Sequence, residues 1–132
     1  MKVVDYREVP EAAVAMEGAA GCRVRCLIGP DDAAPSFSMR RFEVEPGGHT
    51  PRHRHAYEHE VFVLQGEGVV VEADTALGDR QHPIRPGTVV FVPPNRTHQF
   101  RNTGSGVLAF LCLIPHPMRG AQDACAVACG CE

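Results

Sequence analysis

The sequence predicts a single all-β barrel. Three observations carry that expectation: short apolar runs alternate with Gly, Pro and Asn punctuation from Ser36 onward, Val, Ile, Phe and Thr dominate the runs, and no window sustains a helical apolar stripe. Turn signals at intervals of about ten residues suit a sandwich or barrel of antiparallel strands. At 132 residues there is room for one domain.

Taken in order, MKVVDYREVP reads as an extended arm, EAAVAMEGAAG as a weak helix or loop, and CRVRCLIG as a first regular strand, together residues 1–35. Such an arm is suited to pairing with a partner's sheet edge. FSMRRFEVEPGG, EVFVLQGEGVVVEAD, GTVVFVPPN, QFRNTGSG and VLAFLCLIP then supply the barrel over residues 36–117. Beyond Pro115 and Pro117 the pattern dissolves, and residues 118–132 form a Cys-rich tail.

Composition narrows the function. With 44% apolar residues, 22% charged residues and a formal charge of -3, the chain reads as an ordinary soluble globular protein. No basic run or stripe favours nucleic acid or an anionic membrane. No stretch of about 18 apolar residues is present, and the N-terminus lacks a signal-peptide core, so a cytoplasmic protein is expected. In that reducing setting the six cysteines are expected as free thiols, because a chain of this length has no need of a disulfide frame.

The histidines carry the chemistry. His53, His55 and His59 fall in PRHRHAYEHEVFV, and His98 falls in PPNRTHQF. Residues two or four apart on a strand share a face, so the three share the side of Val61 and Val63 and should point inward. The AYE stretch is a possible turn across which parity weakens. Several imidazoles in a water-poor interior must stay mostly neutral, and converging neutral nitrogens suit a borderline divalent cation. The expectation is one divalent transition metal per chain, Mn or Fe ahead of Zn, Ni, Co or Cu.

Two longer motifs contain these histidines. Gly47, His53, His55, position 59 and Gly66 keep one fixed spacing, and Gly87, Pro93, position 95, His98 and Asn102 keep another. Over residues 36–115 the chain resembles the cupin superfamily in its small single-domain form. The resemblance implies a double-stranded β-helix, or jelly-roll barrel, of two antiparallel sheets with the metal near one mouth. It departs from the usual pattern twice. Asn95 stands where Gly is usual, and Asn tolerates a left-handed turn. His59 occupies the slot of a glutamate ligand, giving an all-histidine site; Glu58 or Glu60 would enter only if the turn shifted register. Losing that carboxylate lowers the preference for hard cations.

Parity also proposes pocket residues. Phe42 and Val44 should face inward, which places Arg40 on the same face, with a snorkelling position at the rim as the alternative. Both faces of VLAFLCLIP are apolar, and the resemblance puts Phe110 and Cys112 beside the metal. Tyr57 completes the expected set. His49, His82 and His116 read as surface histidines, and Cys125, Cys129 and Cys131 as exposed thiols with weak metal-site character.

Three functions fit this reading. The first is a metal-dependent, dioxygenase-like oxidoreductase acting on a small organic substrate. The second is a non-oxidative lyase or isomerase of a small oxygenated acid, with Arg40 holding a carboxylate. The third is a non-catalytic metal or small-ligand binding or sensing module. Exposed sheet edges make a homodimer the expected assembly.

Overall fold

A computed structural model describes residues 1–116. Among them nine strands form, β1 Glu11–Ala13, β2 Ala20–Ile28, β3 Phe37–His49, β4 His59–Gln65, β5 Gly68–Thr75, β6 Gly78–Ile84, β7 Val89–Val92, β8 His98–Asn102 and β9 Leu108–Pro115. They make one curled antiparallel sheet in the order β6-β5-β8-β3-β9-β4-β7, with β2 added to β3 and β1 to β2. No helix among the described residues is long and apolar enough to cross a membrane.

Alternation decides which side chains enter the barrel. Along β4, His59, Val61 and Val63 are buried while Phe62 and Leu64 are exposed, and along β9 Leu108, Phe110, Cys112 and Ile114 are buried. The β3–β9 register sets Phe42 opposite Phe110 and Arg40 opposite Cys112. Phe110 stacks on Phe42 and Phe100 at ring-centroid distances of 5.3 and 4.7 Å, forming the middle of the core. This aromatic floor lies directly below the histidines, since Phe100 and Phe110 both flank His98 and His59 around a shared small cavity.

The glycine between β4 and β5 is required twice over. Gly66 has φ 84°, and a Cβ there would lie 2.2 Å from the Val107 carbonyl oxygen. It lets the chain leave β4, which pairs with β7 and β9, and enter β5, which pairs with β6 and β8. Asn102 closes the same region. Its side-chain amide donates to the Val44 and Gly106 carbonyls, each at 2.8 Å, and its oxygen accepts from Gly104 N–H at 2.8 Å.

Three expectations need correction. EAAVAMEGAAG is neither helix nor wholly loop: Glu11–Ala13 is an exposed strand on β2 of its own chain, where sheet-edge hydrogen bonds override the helical preference of alanine. The preceding arm is not extended throughout, because Tyr6–Glu8 makes one 3-10 turn capped by the Asp5 side chain. Cys26 is disulfide-bonded rather than a free thiol, and its half-buried place near the end of β2 leaves the sulfur accessible to a partner. Cys22 and Cys112 are buried thiols. The expected tail, with Cys125, Cys129 and Cys131, lies outside the described residues.

Candidate metal centre

The two histidine-bearing segments are joined by backbone. His53 and His98 form a two-way bridge, with His53 N–H donating to the His98 carbonyl at 3.1 Å and His98 N–H returning a bond to the His53 carbonyl at 2.9 Å. Asn95 N–H donates to the His55 carbonyl at 2.7 Å from a left-handed turn at φ 64°. Asn is one of the few side chains that adopts this conformation at little cost, so the Pro93–Asn95 turn can lie against the first motif. His59 begins β4, paired opposite Val92.

The imidazoles consequently converge. The rings of His53, His55 and His59 lie 5.2, 5.4 and 5.2 Å from the ring of His98, and His55 and His59 stack at 4.4 Å. One ligand atom from each of His53, His55 and His98 lies within 4.8 Å of the others. Imidazole ligands at about 2.1 Å from a metal stand about 3–4 Å apart, so the trio fits a single cation after a small contraction. His59 is one step back, because its Nε2 lies 3.0 Å from His55 Nδ1 and its Nδ1 lies 3.0 Å from Cys112 Sγ.

Two opposite tautomer sets satisfy this chain of contacts, and the following one leaves His55 a basic nitrogen able to ligate. His59 donates Nδ1–H to Cys112 Sγ and accepts at Nε2 from His55 Nδ1–H. His55 Nε2 then keeps its lone pair, and it is buried with no hydrogen-bond partner. A buried nitrogen lone pair without a donor is costly, and a cation at that point would satisfy it. His98 is oriented in the same way: Nδ1–H donates to the Arg96 carbonyl at 2.8 Å, which leaves Nε2 basic. Tyr57 stacks on His55 at 4.6 Å and 5°, holding the ring flat.

Electrostatics keep the cluster neutral. Burial, assisted by the neighbouring His98 and Arg40, lowers His53 to about 4. Burial and then His53 lower His55 to about 3. His59 is held well below the usual value, by burial first and Arg40 second. His98 is lowered by burial, against the opposing pull of the Arg96 carbonyl. Arg40 is fully buried rather than at the rim; it donates from Nη2 to Cys112 Sγ at 3.1 Å and lies over the Phe42 ring at 5.1 Å. Glu60 points away from this cluster: Val61 and Val63, not Glu60, share the inner face with His59, and burial and the hydrogen bond it shares with Glu58 raise Glu60 to about 7.

The space around these groups has two parts. A small hollow of about 20 Å³ is lined by His53, His59, His98, Thr50, Cys112 and the aromatic floor. A larger cavity of about 360 Å³, also lined by His98, opens between β5 and β6 and the facing β7. Its wall carries Glu72, His82 and Arg96, which the motif reading passed over. The β5 register was the available signal, since Glu72 sits opposite His98 and Val70 opposite Phe100. His49, His82 and His116 are partly exposed, the His82 side chain at 42%. His49 contacts Gln99, and His116 Nε2 lies 2.6 Å from the buried Ser38 hydroxyl.

Comparison with known proteins places the fold in context. The profile of a family described as "Cupin domain" matches residues 40–114. The polyketide cyclase RemF from Streptomyces resistomycificus superposes with a TM-score of 0.80 at 35% identity, over 87% of this chain and 79% of its own. Protein SchB of Streptomyces halstedii is 40% identical over 86 residues, 64% of this chain and 59% of SchB. The 1-methylthio-D-xylulose 5-phosphate methylsulfurylase of Rhodospirillum rubrum is 36% identical over 76 residues, 58% of this chain and 46% of that protein. The chain spans about half the length of these two curated relatives.

Proposed function

The chain belongs to the cupin domain family, and from that membership we propose that it is a metal-dependent enzyme acting without oxidation on a small, carbonyl-bearing organic substrate. The observation that carries the reading is the buried trio of neutral imidazole donors, His53, His55 and His98, within 4.8 Å of one another. His59 is the fourth ligand in this proposal, with Arg40, Phe42, Tyr57, Phe110 and Cys112 around it. A divalent cation held there would supply Lewis acidity toward a substrate oxygen.

The chain's own residues supply the rest. Neutral imidazoles contribute no negative charge, so the bound cation keeps its full charge for the substrate, whereas a carboxylate ligand would offset part of it. The buried Arg40 guanidinium adds a second positive charge behind Cys112 and His59. Both favour an enolate-like oxygen, whose charge develops during reaction at the α-carbon of a ketone. Phe42, Phe100 and Phe110 keep water from the inner wall of the site. The similar Streptomyces protein is a polyketide cyclase, and ring closure at carbonyl carbons is chemistry such a site would serve.

Mn-, Fe-, Co-, Ni- and Zn-loaded protein incubated with small poly-β-ketones under an oxygen electrode tests this. Products that are isomers of the substrate, or lack one water, with no oxygen uptake are expected. Oxygen uptake in step with turnover would replace the proposal by the oxidative one.

The working assembly in this proposal is a homodimer. Val89, Phe91 and Phe62 are 73%, 58% and 46% exposed on the outer side of β4 and β7, and β7 ends the sheet. A second copy covering this apolar edge would bury it and the unpaired backbone beside it.

A further inference from the structure

The cavity of about 360 Å³ that shares His98 with the candidate metal centre is apolar along its floor and polar at one corner. Val70, Ile84, Val90 and Val92 form the floor, brought there by the inward faces of three strands. At the corner, Glu72 accepts from His82 Nε2 at 3.0 Å through one carboxylate oxygen and pairs with Arg96 through the other. Glu72 and His98 are cross-strand partners in the β5–β8 ladder, so this corner and the candidate ligand share one face of the sheet. A volume in this range is that of small-molecule sites, and the combination of apolar walls with a few convergent polar groups is their usual composition.

Charge selects among ligands. Glu72 holds Arg96 through one carboxylate oxygen and His82 through the other, so the cation lining this corner is already matched by a carboxylate. Arg80 lies opposite Glu72 in register, but it is exposed and does not line the cavity. A phosphate or carboxylate entering here would meet a carboxylate already holding the available cation, and would have to displace it. A hydroxyl or keto oxygen would add to the existing hydrogen bonds with no charge to neutralise.

We infer that this cavity is the substrate chamber of the proposed metal site, and that the Glu72, His82 and Arg96 corner selects an uncharged, carbon-rich molecule carrying a hydroxyl or keto oxygen distant from the one that reaches the metal. The inference rests on the proposed function for the identity of the site, while the selectivity belongs to the chamber alone. It favours a polyketone-like or phenolic ligand over a sugar phosphate.

Binding of 2-acetyl-1-naphthol and of 1-naphthyl phosphate, measured by calorimetry on the full chain with and without metal, tests it. Wild-type protein should bind the acetylnaphthol at least about tenfold more tightly than the phosphate, the effect of about one well-placed hydrogen bond. Glu72→Gln frees Arg96 and should shift that ratio at least about tenfold toward the phosphate. Val90→Phe should abolish binding of both, with retained metal uptake showing that the variant folds. Equal or tighter binding of the phosphate by wild type, no binding of either probe, a ratio indifferent to Glu72→Gln, or full binding by Val90→Phe would overturn the inference. A preference that survives in protein unable to take up metal would contradict the proposed metal chemistry and leave the chamber standing.

Discussion

A histidine that must stay neutral ties folding to pH. His53 and His55 titrate near 4 and 3 in the folded chain against 6.5 in the open one, so the unfolded state binds protons first as pH falls. Stability of the metal-free protein should therefore be level above about pH 6.5 and decline steadily below it. Urea midpoints across neutral and acid pH would show this; a midpoint that held or rose between pH 7 and about pH 5 would contradict the burial argument. Asn95 offers a second test on one residue. At φ 64° a glycine should be tolerated, whereas Asn95→Val should cost about 1–2 kcal/mol in the same assay. The left-handed turn was legible because Asn is the common substitute for Gly there. The place of His59 was less so: spacing put it on the right face, but its contacts to His55 and Cys112 depend on strand pairing between distant segments.

Strands rather than single residues bring the site together. β3 carries Arg40 and Phe42, β4 carries His59, β8 carries His98 and β9 carries Phe110 and Cys112. Asn102 fastens β8 to Val44 of β3 and to the turn before β9. Asn102→Ala should cost about 2 kcal/mol by leaving buried carbonyls unsatisfied, and should weaken metal binding through displacement of β8. Loss of stability with unchanged metal affinity would separate the two roles. The strands with regular alternation could be read from sequence because their periodicity reports one buried face. β6 could not, since GDRQHPI is polar, holds Pro83 and lies at a sheet edge, where burial leaves almost no pattern. β1 was hidden for the same reason. The chamber escaped notice with them, because part of its wall, His82, Pro83 and Ile84, is built on β6.

At the scale of the molecule, the path of the curled sheet ends in β6 and β7, and at the β7 end exposed Val89 and Phe91 stand beside exposed Phe62 and Leu64 of β4. Sedimentation should give a mass of twice 14.3 kDa, and Phe91→Glu with Val89→Lys should return the chain to monomer. A wild-type monomer at micromolar concentration would remove the assembly proposal without touching the site. The account as a whole depends on whether imidazoles from two separated segments hold one cation. Metal content of the purified full chain by mass spectrometry, compared with His98→Ala and His55→Ala, tests this most directly. About one transition-metal equivalent per wild-type chain and little in either variant is the predicted result. Full metal content retained by His98→Ala, in protein whose circular dichroism is unchanged, would contradict it.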